Sequence, residues 1–144
     1  MTSKYEKLIL AGRSGIYAAP RLVGPLRAAA MRSGIAWHDL DLAGVRDRDG
    51  FLRRCSEALE LPDYFGHNWD ALHECLLDAA GSGLPGAIVH WRRGAELAKH
   101  GPETVDAALE ILQEAVTYWG VTGRTFLVVV DRDGAPGRGL SPLR

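Results

Sequence analysis

Asp70, Glu74 and Asp78 recur at four-residue spacing in "NWDALHECLLDAA", a spacing that stacks side chains on one face of a helix. Carboxylates held in a row on a rigid element accept charge-assisted hydrogen bonds from guanidinium, ammonium or imidazolium groups, which are also the groups that hold a phosphodiester. The same stretch offers a second chemistry, nucleophilic or metal-assisted, through His67, His73, Glu74 and Cys75. Spacing argues against it. "HEC" is not HExxH, and the neighbours His73 and Glu74 project about 100° apart on a helix. Cys75 falls on the apolar stripe, so neither a Cys–His pair nor a zinc site is assembled. His38, His90 and His100 have no companions at ligand spacing. No catalytic residue, metal or cofactor is expected.

At about 100° per residue the three carboxylates occupy a sector of about 80°, opposite a stripe of Leu72, Cys75, Leu76 and Ala79. His73 and Leu77 flank that sector. Like charges at i and i+4 disfavour a helix by roughly 0.2–0.5 kcal/mol per pair. Relief is absent nearby: Glu57, Glu60, Asp63, Asp70, Glu74 and Asp78 follow one another with no Lys or Arg between. A face that costs the free fold and carries an imidazole and an apolar group beside its acids reads as a binding face.

The elements that must position it follow from periodicity and punctuation. Asn68 is a favoured N-cap, Asp70 meets the positive end of the helix dipole, and Gly81 closes the helix. Upstream, "RLVGPLRAAAMRSG" reads as a helix, "GIAWHDLDLAGV" (34–45) as a strand, and Phe51, Leu52, Cys55, Ala58 and Leu59 recur at helical spacing until Pro62. Downstream, "AIVHW" (87–91) is a strand, "AELAKHG" a short helix, and "PETVDAALEILQEAVTYWG" a long helix with Pro102 in its first turn. "TFLVVVDRD" (125–133) is a near-continuous apolar run of the kind covered on both faces. Strands separated by helices predict an α/β fold, a small parallel sheet of three to four strands with helices packed on it.

With 144 residues, 47% of them hydrophobic, and a formal charge of −1, the chain lacks the basic balance of a nonspecific nucleic-acid binder. No basic segment followed by an apolar one opens the sequence, and no 18-residue apolar run occurs, so a soluble, cytoplasmic protein that meets neither membrane nor nucleic acid directly is expected. Cys55 and Cys75 read as buried thiols, and Trp37, Trp91 and Trp119 as core or strand-end aromatics.

"LPDYFGHNWDALHECL" places an aromatic pair, Tyr64 and Phe65, before Gly66, which is free to take a left-handed turn, and Asn68 at the helix start. This contiguous sixteen-residue run resembles the barstar family of intracellular ribonuclease inhibitors. "HWR" (90–92) is similar to the end of that family's next strand, and "LEILQEA" (109–115) to its last long helix. The resemblance covers about residues 35–131. It implies a barstar-like domain over 1–144, with an N-terminal extension over about 1–34 and a flexible tail over about 134–144.

The family is known for blocking a secreted guanyl-preferring ribonuclease by filling its active site with the second helix and adjacent loop, and a one-to-one complex with such a microbial ribonuclease is expected here. The resemblance therefore implies partner contacts at Tyr64, Gly66, His67, Asn68, Trp69, Asp70, His73 and Glu74, with Glu114 matching an acidic position on the last long helix. Glu74 would mimic the phosphate, Asp70 would meet a second cation, Glu114 would add a peripheral salt bridge, and Tyr64 and Trp69 would be aromatic anchors. Here Glu74 stands where Asp is familiar, His73 where Trp is, His67 where Glu is, and Trp69 where a smaller aliphatic is. The residues alone leave a second reading open, a binding or immunity protein of the same fold that neutralises another toxin nuclease or a basic partner.

Overall fold

The computed structural model of the protein describes residues 3–62, 66–80 and 85–144. In chain order its elements are α1 (Lys4–Leu10), β1 (Gly15–Ala18), α2 (Gly24–Arg32), β2 (Ala36–Asp41), α3 (Arg48–Ala58), α4 (Trp69–Ala80), β3 (Gly86–Arg92), α5 (Ala95–His100), α6 (Pro102–Val121) and β4 (Thr125–Val130). The four strands form one parallel sheet in the order β1-β4-β3-β2, so the expected α/β architecture is present with the larger of the two strand numbers.

The apolar run of β4 is buried at every position, because helices cover both sides of the sheet. On one side Leu26, Ala29 and Ala30 of α2 pack with Ile9 of α1 against Ile88, Leu127 and Val129. On the other, Phe51, Leu72, Leu97, Leu112 and Trp119, from α3 to α6, pack against Val89, Trp91, Phe126 and Val128. The β1-to-β2 crossover thus runs over one face, while the β2-to-β3 and β3-to-β4 crossovers run over the other. Caps agree with local chemistry: the Asp47 carboxylate accepts from the Gly50 N–H at 2.9 Å, which starts α3 earlier than the apolar periodicity alone suggests.

The stretch expected as an N-terminal extension is, over its described residues 3–34, packed onto the rest of the chain. Gly15, Ile16, Tyr17 and Ala18 pair with Leu127 through Val130, so this stretch supplies the edge strand and the two helices that cover one face. The tail also makes contacts with the rest of the chain. Leu143 is buried, the Ala18 N–H donates to the Ser141 carbonyl at 2.8 Å, Ala18 bridges to Pro142, and Arg138 donates to Asp106 at 3.0 Å and to the Pro102 carbonyl at 3.1 Å. A four-residue strand with open N–H and C=O groups is an edge hazard, and the tail covers part of it.

At the C-terminal ends of β2 and β3, Arg93 grips Asp41 with both arms of its guanidinium, its Nε 2.9 Å from Oδ1. The Ala43 N–H adds a third donor at 3.1 Å. Arg93's hydrogen bonds, outweighing partial desolvation, lower the Asp41 carboxyl from 3.8 to about 2. A carboxyl depressed in the fold contributes stability above its ordinary pKa, and that contribution is lost as pH falls through about 2. Because the Asp41 side chain is 28% exposed and that of Arg93 58%, solvent screening holds it to under about 1 kcal/mol.

Two outcomes follow from this architecture. Removing residues 1–34 should leave β4 as a bare edge with Leu127 and Val129 uncovered, giving aggregation or loss of the cooperative thermal transition in circular dichroism; an unchanged melting temperature would show that the stretch is dispensable. Asp41→Asn should lower stability to chemical denaturation near neutral pH and converge with the parent protein as pH approaches about 2. A difference that stays constant with pH would exclude the ion pair as its cause.

Candidate partner-binding surface

The turn into α4 is built by Asn68. Its Oδ1 accepts from the Ala71 N–H at 2.8 Å, as an N-cap must, and its Nδ2 donates to the Gly66 carbonyl at 3.3 Å. A Cβ on Gly66 would lie 3.1 Å from that same amide nitrogen, so a glycine fits where the turn closes most tightly. The left-handed backbone falls on His67, at φ 51°, an uncommon conformation for a residue with a side chain. Gly66, His67 and Asn68 are all exposed. Tyr64 lies outside the described residues.

The helix is held from behind. Leu72 and Leu76 are buried, and Cys75 and Ala79 are half-buried against the same cluster. The Trp119 indole N–H of α6 donates to the Leu76 carbonyl at 3.0 Å in a buried contact, and the Trp119 ring meets Phe126 of β4 edge-on at 5.1 Å. With that face committed to α6 and the sheet, Asp70, Glu74 and Asp78 point outward and are exposed. None of the three makes an ion pair with a described residue. Their field is felt at Cys75, whose thiol is pushed up first by burial and then by the carboxylates of Asp78 and Glu74. The thiol is therefore kept protonated and a poor nucleophile.

Sequence spacing could not show that His73 and Glu114 meet. His73 Nε2 lies 2.9 Å from Glu114 Oε2, with side chains 31% and 53% exposed. The contact ties α4 to α6 at the rim of the acidic face and sets an acid from a second helix beside Glu74's turn. Trp69, expected as an aromatic anchor, is half-buried, its ring set at a tilt on Phe51 with 5.8 Å between centroids. Its position on the helix is turned about 100° from Asp70 and farther from Glu74 and Asp78. The remaining exposed edge lines a separate hollow with Asp47, Asp49 and Glu103.

A family model described as Barstar (barnase inhibitor) matches residues 35–131. The chain belongs to the barstar family. A comparison with curated proteins finds no match. The barstar match opens just before β2 and closes just after β4, so it takes in α3 to α6 and three strands while leaving α1, β1 and α2 outside it. Barstar-family proteins are inhibitors and not enzymes, and this chain is accordingly barnase-inhibitor-like, of a family whose kind of partner is a ribonuclease.

Glu74 sits between Asp70 and Asp78 with one like-charge neighbour on each side. Glu74→Gln, which keeps helix propensity and shape, should therefore stabilise the free protein, by roughly 0.2–0.5 kcal/mol for each of the two relieved pairs. Urea denaturation at low salt measures this; a destabilised variant would mean that Glu74 has an intramolecular partner.

Proposed function

We propose that this protein inhibits a microbial ribonuclease of the guanyl-preferring kind by seating the acidic face of α4 and the turn before it in the enzyme's active site, one to one. The observation that carries this reading is the exposed row Asp70, Glu74 and Asp78, with no ion pair to a described residue, in a chain of the barstar family. A ribonuclease binds a phosphodiester with Arg, Lys and His side chains. A carboxylate on a rigid helix accepts the same charge-assisted hydrogen bonds and presents no bond to cleave. Because the helix is already docked on α6 and the sheet, little ordering remains to be done on association.

Glu74, at the centre of the row, is the phosphate mimic. Asp70, at the helix start, meets a second cation, Glu114 and His73 form the rim from which a peripheral contact is made, and Gly66, His67 and Asn68 supply backbone and amide groups beside it. Trp69 acts mainly by fixing the start of the helix against Phe51. Attraction over distance comes from this local face and not from the whole molecule, whose formal charge is only −1. Among the described residues no helix is long and apolar enough to cross a membrane. On the proposed reading the protein acts in the cytoplasm of a cell that makes such a nuclease.

Titration into guanyl-preferring ribonucleases, with RNA cleavage as the readout, should give stoichiometric inhibition, and Glu74→Ala should weaken it by at least about tenfold, the loss of one charged hydrogen bond. Absence of inhibition across such enzymes would overturn the ribonuclease assignment. Inhibition that survives Glu74→Ala undiminished would remove Glu74 as the phosphate mimic.

A further inference from the structure

A second set of unneutralised charges lies at the C-terminal end of the sheet. Beyond Ala18 the chain leaves β1 for the α2 face, whereas beyond Arg92 it leaves β3 for the α5 and α6 face. Connections that part in this way open a crevice beyond the strand ends, the position at which open parallel sheets accept ligands. Here the crevice has a volume of about 590 Å³, and its lining includes Arg21, His90, Arg92, Arg132 and Asp133.

Its floor is fixed. His90 is 6% exposed; its Nε2 lies 2.8 Å from Asp131 Oδ1 and its Nδ1 3.7 Å from Asp39 Oδ1, while Trp37 meets the ring edge-on at 5.9 Å. Its wall is fixed too. A Cβ on Gly94 or Gly134 would come within 2.6 Å or 2.8 Å of Trp91 Nε1, so both backbones lie directly on the buried indole, and Arg93 between β3 and Gly94 is held in the left-handed region at φ 55°. Non-glycine residues in that region mark places where surrounding structure overrides local preference.

Apart from Arg93, which is paired with Asp41, the arginines on this lining have no sufficient partner. Arg21 and Arg132 make no ion pair with a described residue. Arg92 reaches Asp41 only at 3.5 Å, through Nη2, and that carboxylate is already gripped by Arg93. The Nε of Arg92 is buried with no hydrogen-bond partner, so the fold leaves this side chain's donors incompletely matched. Asp131 is engaged by His90, which leaves Asp133 as the acid on the lining without an ion-pair partner.

We propose that this crevice binds a phosphate-bearing small molecule of mononucleotide size. Guanidinium groups match phosphate oxygens with paired donors, and a hollow of this volume lies within the range that holds small ligands. Arg21, Arg92 and Arg132 take the phosphate, and Asp133 accepts from a hydroxyl or amino group elsewhere on the ligand. A nucleic-acid strand fits less well: tracking a strand calls for exposed aromatic faces on which bases stack, and among the described residues no aromatic side chain other than the buried imidazole lines this crevice.

The test is calorimetric titration of the full chain with nucleoside monophosphates, the matching nucleosides, inorganic phosphate and a short single-stranded RNA, repeated on the Arg21→Ala/Arg132→Ala double variant. These positions are exposed and belong to loops outside α4, and circular dichroism checks that the variant is folded. Saturable binding of a monophosphate, at least about tenfold tighter than its nucleoside and weakened at least about tenfold in the variant, with a shift of the Arg92 Nε–H signal in nitrogen-15 spectra, supports the proposal. No binding up to about 5 mM, binding that the variant keeps, inorganic phosphate as tight as the monophosphate, or RNA tighter than the monophosphate each overturns it.

Discussion

The acidic surface depends on how α4 is docked against α6. One buried hydrogen bond, from the Trp119 indole to the Leu76 carbonyl at 3.0 Å, joins the two helices where Leu72 and Leu76 are already out of water. An indole N–H buried without an acceptor carries a desolvation cost, so the contact selects one rotation of α4 about its axis. That rotation settles which residues remain outside. Had the helix turned by a third of a revolution, Glu74 would have faced the sheet, where an unpaired carboxylate is strongly disfavoured.

Behind the two helices stands a platform in which β4 is buried at every position and helices cover both sheet faces. Parallel sheets depend on such cover, and here part of it comes from outside the barstar-matched region. α1, α2 and β1 close the second face and flank β4, and the C-terminal tail covers the outer edge of β1. The matched region and its flanks are one packing unit, because Leu127 and Val129 cannot leave water unless Leu26 and Ala29 arrive to meet them.

Electrostatically the chain is near balance in sum and uneven in place. Carboxylates without ion pairs line α4, and arginines without sufficient partners gather beyond the C-terminal ends of the strands. Each group opposes the free fold slightly through like-charge repulsion, and each rests on a rigid support. Other charges are paired across elements, as Asp41 is with Arg93 and Asp106 with Arg138. Unmet charge on a stiff frame is a reasonable mark of surfaces shaped by what they bind.

The sequence by itself determined the elements of the middle and end of the chain and the outward face of α4. Their signals are local: an N-cap at Asn68, a four-residue acid spacing opposite an apolar stripe, and a continuous apolar run at Thr125–Val130. β1 carried no such signal, being four residues long and half-buried at each position, so its strand character comes from pairing with β4. Only the tertiary structure brought His73 to Glu114 and His90 to Asp131, turned Trp69 inward onto Phe51, and opened a crevice where β1 and β3 send their chains to opposite faces. Those outcomes rest on contacts between residues far apart along the chain, and periodicity reports which side of an element is apolar without saying what that side will meet.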